Sequence, residues 1–172
     1  MNPLSSHILI AEHDPRWPEL FELEAKRIIS VLGKRVLRIE HTGSTAVPGL
    51  AAKPIIDLLL VVADSADEAA YVPALESAGY VLRIRELDWH TPRMFKGPDT
   101  DINLHVLSTG CPEIERILLF RDWLRSKAAD RKLYERTKKA LAQEEWGDVQ
   151  DYANAKTTVV EEILARARSN RK

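Results

Sequence analysis

Cysteine is nearly absent from this chain: Cys111 is the only one among 172 residues. A single thiol excludes an internal disulfide framework and a cysteine-based zinc site. Placed between Gly110 and Pro112 at a loop-to-helix junction, it reads as a structural thiol. Long apolar runs are lacking as well. No stretch approaches the length of a membrane span, and the first ten residues have no signal-peptide core. A cytoplasmic protein without a membrane partner is therefore expected. There is no Ser-His-Asp order, no P-loop and no dinucleotide fingerprint, which leaves hydrolase, kinase and dehydrogenase readings without support. Internal repeats and low-complexity tracts are missing too. Nor is one sign of charge in large excess, since the net charge is −1. Residues 1–111 hold 11 Lys/Arg against 15 Asp/Glu, and residues 112–172 hold 14 against 11. That tilt is too mild for duplex nucleic acid. It suits a basic wall over a small anionic ligand and a plain solvated surface alike.

What is present is ordinary for a folded domain, with 45% hydrophobic and 30% charged residues. The length fits one domain, divided into an α/β core over 1–110 and a helical lobe over 111–172. Asp14 and Pro15 form a helix start, as N-cap and first helical residue. Trp17, Leu20, Phe21, Leu23, Ile28, Ile29 and Leu32 then give a broad apolar face up to Gly33. A short strand is expected over 36–41 and a buried one over 55–62. Ser65 is placed to cap a helix over 66–77, ended by Gly79. Strands follow over 80–86, 93–96 and 101–107. In the last of these Ile102, Leu104 and Val106 alternate with Asp101, Asn103 and His105, the pattern of a half-buried strand. After Pro112 three amphipathic helices are predicted, near 112–128, 130–146 and 149–168, with Trp123 and Trp146 packed between them. The fold class is α+β: a mixed sheet flanked by helices and followed by a helical lobe.

The stretch 41–62, HTGSTAVPGLAAKPIIDLLLVV, organises the rest. Its middle is turn-forming, through Gly43, Pro48 and Gly49, and one carboxylate, Asp57, interrupts the apolar strand that ends it. An ionised Asp there costs several kcal/mol unless it is paired, solvated at a cleft or bound to a metal. The Gly43-Ser44 turn can point backbone N–H groups at an anion. Lys53 would close the loop over that anion; a solvated lysine is the duller alternative.

The segment GSTAVPGLAAKPIIDLL closely resembles the signature of the GrpB family, a module also found fused to dephospho-CoA kinase in some bacteria. The likeness continues in INLHV (102–106), FRDWLR (120–125), YERTK (134–138) and YANAK (152–156). It implies a nucleotidyltransferase-like core, in which a Gly-Ser turn precedes a strand carrying an Asp-hydrophobic-Asp pair. This chain departs from that pattern, because Leu59 stands where the second acid would be. Two carboxylates normally hold the cation pair of such transfers. Here His105, a position where the family carries histidine, is the candidate second ligand beside Asp57, with Asp101 or Glu86 able to add an oxygen. The implied cofactor is a divalent metal, Mg or Mn, and a mixed Asp/His site would shift the preference toward Mn, Zn or Ni. The competing reading makes Asp57 and His105 a buried hydrogen-bonded pair that orders the sheet.

The lobe carries a second pattern. Tyr134 and Lys138 are four residues apart, as are Tyr152 and Lys156, and Arg121 and Arg125, so each pair shares a helix face. Together they could direct lysines and an arginine at the phosphates of a nucleotide, with a tyrosine stacking on its base or sugar. Intrahelical packing, with Arg121 or Arg125 paired to Asp122 or Glu145, is the alternative. His90 falls in an expected loop and could line a pocket mouth. Three function classes stay open: a metal-dependent nucleotidyl transferase, a non-catalytic module binding a nucleotide or phosphometabolite, and an assembly partner of another enzyme.

Overall fold

The structure, a computed structural model, describes residues 8–87, 90–144 and 149–171. Glu145 and Trp146, to which roles were given above, lie outside the described residues. Five strands form one mixed sheet: β1 (Arg38–Thr42), β2 (Ile56–Val62), β3 (Val81–Arg85), β4 (Arg93–Lys96) and β5 (Ile102–Ser108). Their order is β1-β2-β5-β4-β3. β2 and β5 pair in parallel and the other neighbours antiparallel. This is the expected α+β layout. β2 lies inside the sheet and is covered on both faces, which is why its sequence is almost continuously apolar rather than alternating.

The two faces are unlike. Ile56, Leu58, Leu60 and Val62 join Leu104 and Val106 against helices α1 (Trp17–Leu32) and α2 (Val72–Ser77). On the opposite face Leu59, Val61 and Leu107 meet Cys111, Ile114 and Leu118 at the start of α3 (Pro112–Ser126). Asp57 and His105 share this second face by strand alternation. Helices α4 (Ala128–Ala142) and α5 (Val149–Ser169) pack on α3. Asp130 ties the three together, accepting from the Trp123 indole at 2.7 Å and from Arg166 at 2.6 Å.

Some local expectations are corrected. α1 starts at Trp17, with Pro18 in its first turn, two residues later than Asp14-Pro15 suggested. The Asp14 carboxylate instead accepts from the Arg16 amide and guanidinium. The α1 face is also narrower than the apolar spacing implied. Leu23 and Ile29 are exposed, while Glu24 is buried and accepts a hydrogen bond from Tyr80. The helix expected over 66–77 is broken into a 3₁₀ turn (Glu68–Ala70) and the short α2. Ser65 caps nothing there; its hydroxyl is tied to Thr91 and Ser108.

Candidate functional site

β1 runs into Gly43, where the chain turns sharply at φ 70° and enters a single 3₁₀ turn (Ser44–Ala46). The turn is fixed from beneath. His41 is buried, stacks on Phe21 and bonds through Nε2 to the Thr45 hydroxyl at 2.9 Å. The Thr45 hydroxyl in turn donates to the Ile55 carbonyl at 3.3 Å. Burial, helped by the charges of Arg125 and Arg121, lowers the His41 pKa to about 4, so it is neutral near pH 7. Neither the Ser44 nor the Thr45 amide donates to a main-chain carbonyl among the described residues.

Helices α3 and α4 then grip the loop by its backbone. Arg121 donates to the His41 carbonyl and to Glu40, and Arg125 donates to the Ala46 carbonyl, so α3 holds the chain on both sides of the turn. On α4, Glu135 accepts from the Ala51 amide at 2.6 Å and Lys138 donates to the Ala51 carbonyl at 2.7 Å. The motifs FRDWLR and YERTK thereby act on the same loop.

Above the turn lies a cleft of about 170 Å³, lined by Gly43, Ser44, Lys53, Asp57, Asn103, Tyr134, Lys138, Tyr152 and Lys156 among others. Lys138 is buried, donates to Ser44 Oγ at 2.9 Å and lies 4.8 Å from the centre of the Tyr134 ring. Lys156 and Lys53 lie 4.9 and 5.4 Å from the Tyr152 ring centre. Burial, reinforced by Lys156 and Lys53, lowers the Lys138 pKa to about 7, and burial with Lys53 lowers that of Lys156 to about 8. Burial pushes both tyrosine phenols up, so they are hydrogen-bonding groups rather than anions. The cleft is thus a cationic, hydroxyl-bearing chamber with one carboxylate at its edge.

That carboxylate is in contact with His105, whose Nε2 lies 3.3 Å from Asp57 Oδ1. The two side chains are 41% and 30% accessible, so the pair is not sealed in the core, but His105 itself does not line this cleft. Asp101 and Glu86 do not join them. Asp101 points at Lys96, and among the described residues no three His, Cys, Asp or Glu side chains gather as a metal cluster. Leu59 is fully buried against the α3 contacts, so it leaves no room for a second ligand two residues after Asp57. The donor set therefore fits one cation that keeps most of its water, and it does not fit a two-cation centre. Asp57, with His105 beside it, would hold such a cation.

Most of the side chains singled out from the sequence meet here: Gly43, Ser44, Lys53, Asp57, Tyr134, Lys138, Tyr152 and Lys156 all line the cleft. Arg121 does not. It is buried and held by Glu40 at 2.5 Å and Asp122 at 2.9 Å. His90 is exposed in a left-handed backbone conformation and lines no part of the cleft. Three contributors went unnoticed in the sequence: His41, Thr45 and Asn103. The polar side of the INLHV strand was the signal for Asn103, which sits opposite Asp57 in the β2–β5 register. His41 gave no such signal.

No helix among the described residues is long and apolar enough to cross a membrane. A UPF0157 protein from Halalkalibacterium halodurans is 62% identical over 167 residues, covering 97% of this chain and 86% of that protein. The crystal structure of the conserved protein GrpB from Enterococcus faecalis superposes with a TM-score of 0.79 at 31% identity, covering 92% of this chain and 98% of the other. A cytoplasmic RNA terminal U-transferase shares the fold more distantly, with a TM-score of 0.54 at 12% identity over 75% of this chain and 41% of its own. The sheet and its helices thus have a nucleotidyltransferase-like arrangement. The family described as GrpB protein matches residues 7–166, and this chain belongs to it.

Proposed function

We propose that the cleft binds the phosphate groups of a nucleotide or another phosphorylated small molecule. The carrying observation is the convergence of Lys53, Lys138 and Lys156 with Ser44 on one small chamber whose single carboxylate is Asp57. Burial, with the positive charge of the neighbouring lysines, lowers the proton affinity of Lys138 and Lys156 to values of about 7 and 8. An anion supplies the opposite charge that this arrangement lacks. The turn amides at Ser44 and Thr45 add donors to the same space. Calorimetric titration with pyrophosphate tests the reading. Binding that Lys156→Ala weakens about tenfold or more supports it, and absence of heat at millimolar pyrophosphate overturns it.

Nucleotidyl transfer is the second reading, favoured by the placement of Asp57 near the start of β2 facing the Gly-Ser turn. It requires a divalent cation, which when bound would neutralise phosphate charge beside Asp57 and His105. Leu59 weighs against it, since the usual second acid is replaced by a core residue. Pyrophosphate release from nucleoside triphosphates with manganese, lost in Asp57→Asn, would select this reading over simple binding.

A further inference from the structure

A second cavity, about 360 Å³, opens on the other side of Asp57. It shares Gly43 and Asp57 with the lysine cleft, and its body is apolar: Leu107, Ile117, Phe120 and Val160. Phe120 packs edge-on against Tyr134 at 5.2 Å, so the aromatic walls of the two chambers touch. The charged residues around this second cavity are spoken for. Arg116 is held by Glu113 at 3.0 Å and Glu161 at 2.6 Å, and Arg93 by Glu68 at 2.7 Å and the Thr91 carbonyl. What it offers an occupant is therefore apolar surface, with Asp57, His105 and Thr42 as hydrogen-bonding groups on its wall.

We propose that the two chambers form one bipartite site for a phosphate ester of a neutral, largely apolar organic group. The phosphate lies among the lysines and the aromatic or branched body fills the second cavity, the ester linkage crossing at Asp57 and Gly43. This rests on the phosphate-binding reading of the lysine cleft. Volume and polarity both point this way: the second chamber alone is of the size of small-ligand sites, mostly apolar with a few convergent polar groups. A body bearing a second negative charge would find no unpaired cation there, since Arg93 and Arg116 are held by carboxylates, and would lose its hydration.

The test compares three probes by calorimetry: inorganic phosphate, 1-naphthyl phosphate and 1-naphthol. Naphthyl phosphate should bind at least tenfold tighter than phosphate, and Val160→Trp, which fills the second cavity, should remove that gain while leaving phosphate affinity within twofold. Methyl resonances of Leu107, Ile117 and Val160 should shift with naphthyl phosphate and not with phosphate, a readout that needs no variant. Equal affinities for phosphate and naphthyl phosphate, or shifts that avoid those methyls, overturn the bipartite site. If neither phosphate nor naphthyl phosphate binds, the phosphate-binding reading falls with it. If 1-naphthol alone binds and moves those methyls, the apolar cavity is real but belongs to a separate, unphosphorylated ligand, and the bipartite proposal is overturned.

Discussion

The carboxylate of Asp57 rests directly against the backbone of Gly43: a Cβ at position 43 would lie 2.5 Å from Oδ2. The same glycine has φ 70°, a conformation that side-chain-bearing residues adopt only with strain. Turn and carboxylate are thus built as a unit, one fitting the space the other leaves. Gly43→Ala should cost about 1–3 kcal/mol through backbone strain alone. It should also push Asp57 toward His105 and close the cleft. Chemical denaturation reports the first effect and pyrophosphate titration the second. An alanine variant that retains both stability and binding would show that the contact is loose.

Leu59 occupies the position at which a nucleotidyltransferase would place its second metal-binding acid, yet it is fully buried and pairs in register with Glu40 on one side and His105 on the other. Leu59→Asp should therefore fail to create a second ligand. Removing the leucine leaves a hole among Val61, Leu107, Ile114 and Leu118, and adds an unpaired charge to it. The expected loss is at least about 4 kcal/mol. Circular dichroism melts with and without manganese check this. Metal-dependent recovery of the melting point would mean that the carboxylate reaches the cleft after all.

Binding of sulfate, a dianion across the whole range, should weaken as pH rises through about 7 to 8, where Lys138 and Lys156 lose their protons. At pH 8 binding should take up protons, seen as heats that vary with the ionisation enthalpy of the buffer. The sign for stability is opposite. Both folded values lie below the ordinary 10.5 of lysine, so between about 7 and 10.5 the unfolded chain holds more protons. These two groups therefore make the ligand-free protein more stable as pH rises across that window. Affinity that is flat from pH 6.5 to 9 would show that the two amines do not face the anion.

Much of this was legible in the sequence. Alternation placed His105 on the polar face of its strand, and four-residue spacing placed Tyr134 with Lys138 and Tyr152 with Lys156. Those are local periodicities, and local geometry enforces them. The role of Arg121 was not legible by the same means. Its spacing to Arg125 is as regular as the others, but its direction depends on where α3 lies against β1, a tertiary fact. His41 was silent for a related reason: one histidine in a strand does not show whether it faces solvent or a helix. The interrupted helix over 66–77 escaped because Ser65, a good cap by type, is drawn to Thr91 and Ser108 on distant segments.

Arg121 and Lys156 should accordingly fail in different ways when truncated. Both are basic and both belong to the recurring four-residue pairs, so a reading from charge alone would give them one role. Arg121, however, is buried, spans Glu40, Asp122 and the His41 carbonyl, and touches no part of the lysine cleft. Arg121→Ala leaves Glu40 without its main partner and loosens β1 just before the turn, at an expected cost of about 2–3 kcal/mol of stability. Its effect on pyrophosphate affinity should be less than threefold when measured well below the melting point. Lys156 lines the cleft and carries a charge that the fold itself does not need, as its lowered pKa indicates. Lys156→Ala should lose about 1.5–3 kcal/mol of binding, the worth of one charge-assisted contact, and leave the melting point unchanged or raised. Parallel melts and titrations of the two variants decide the matter. A large affinity loss in Arg121→Ala without a stability change would place the guanidinium on the ligand and overturn its assignment as a clamp on β1.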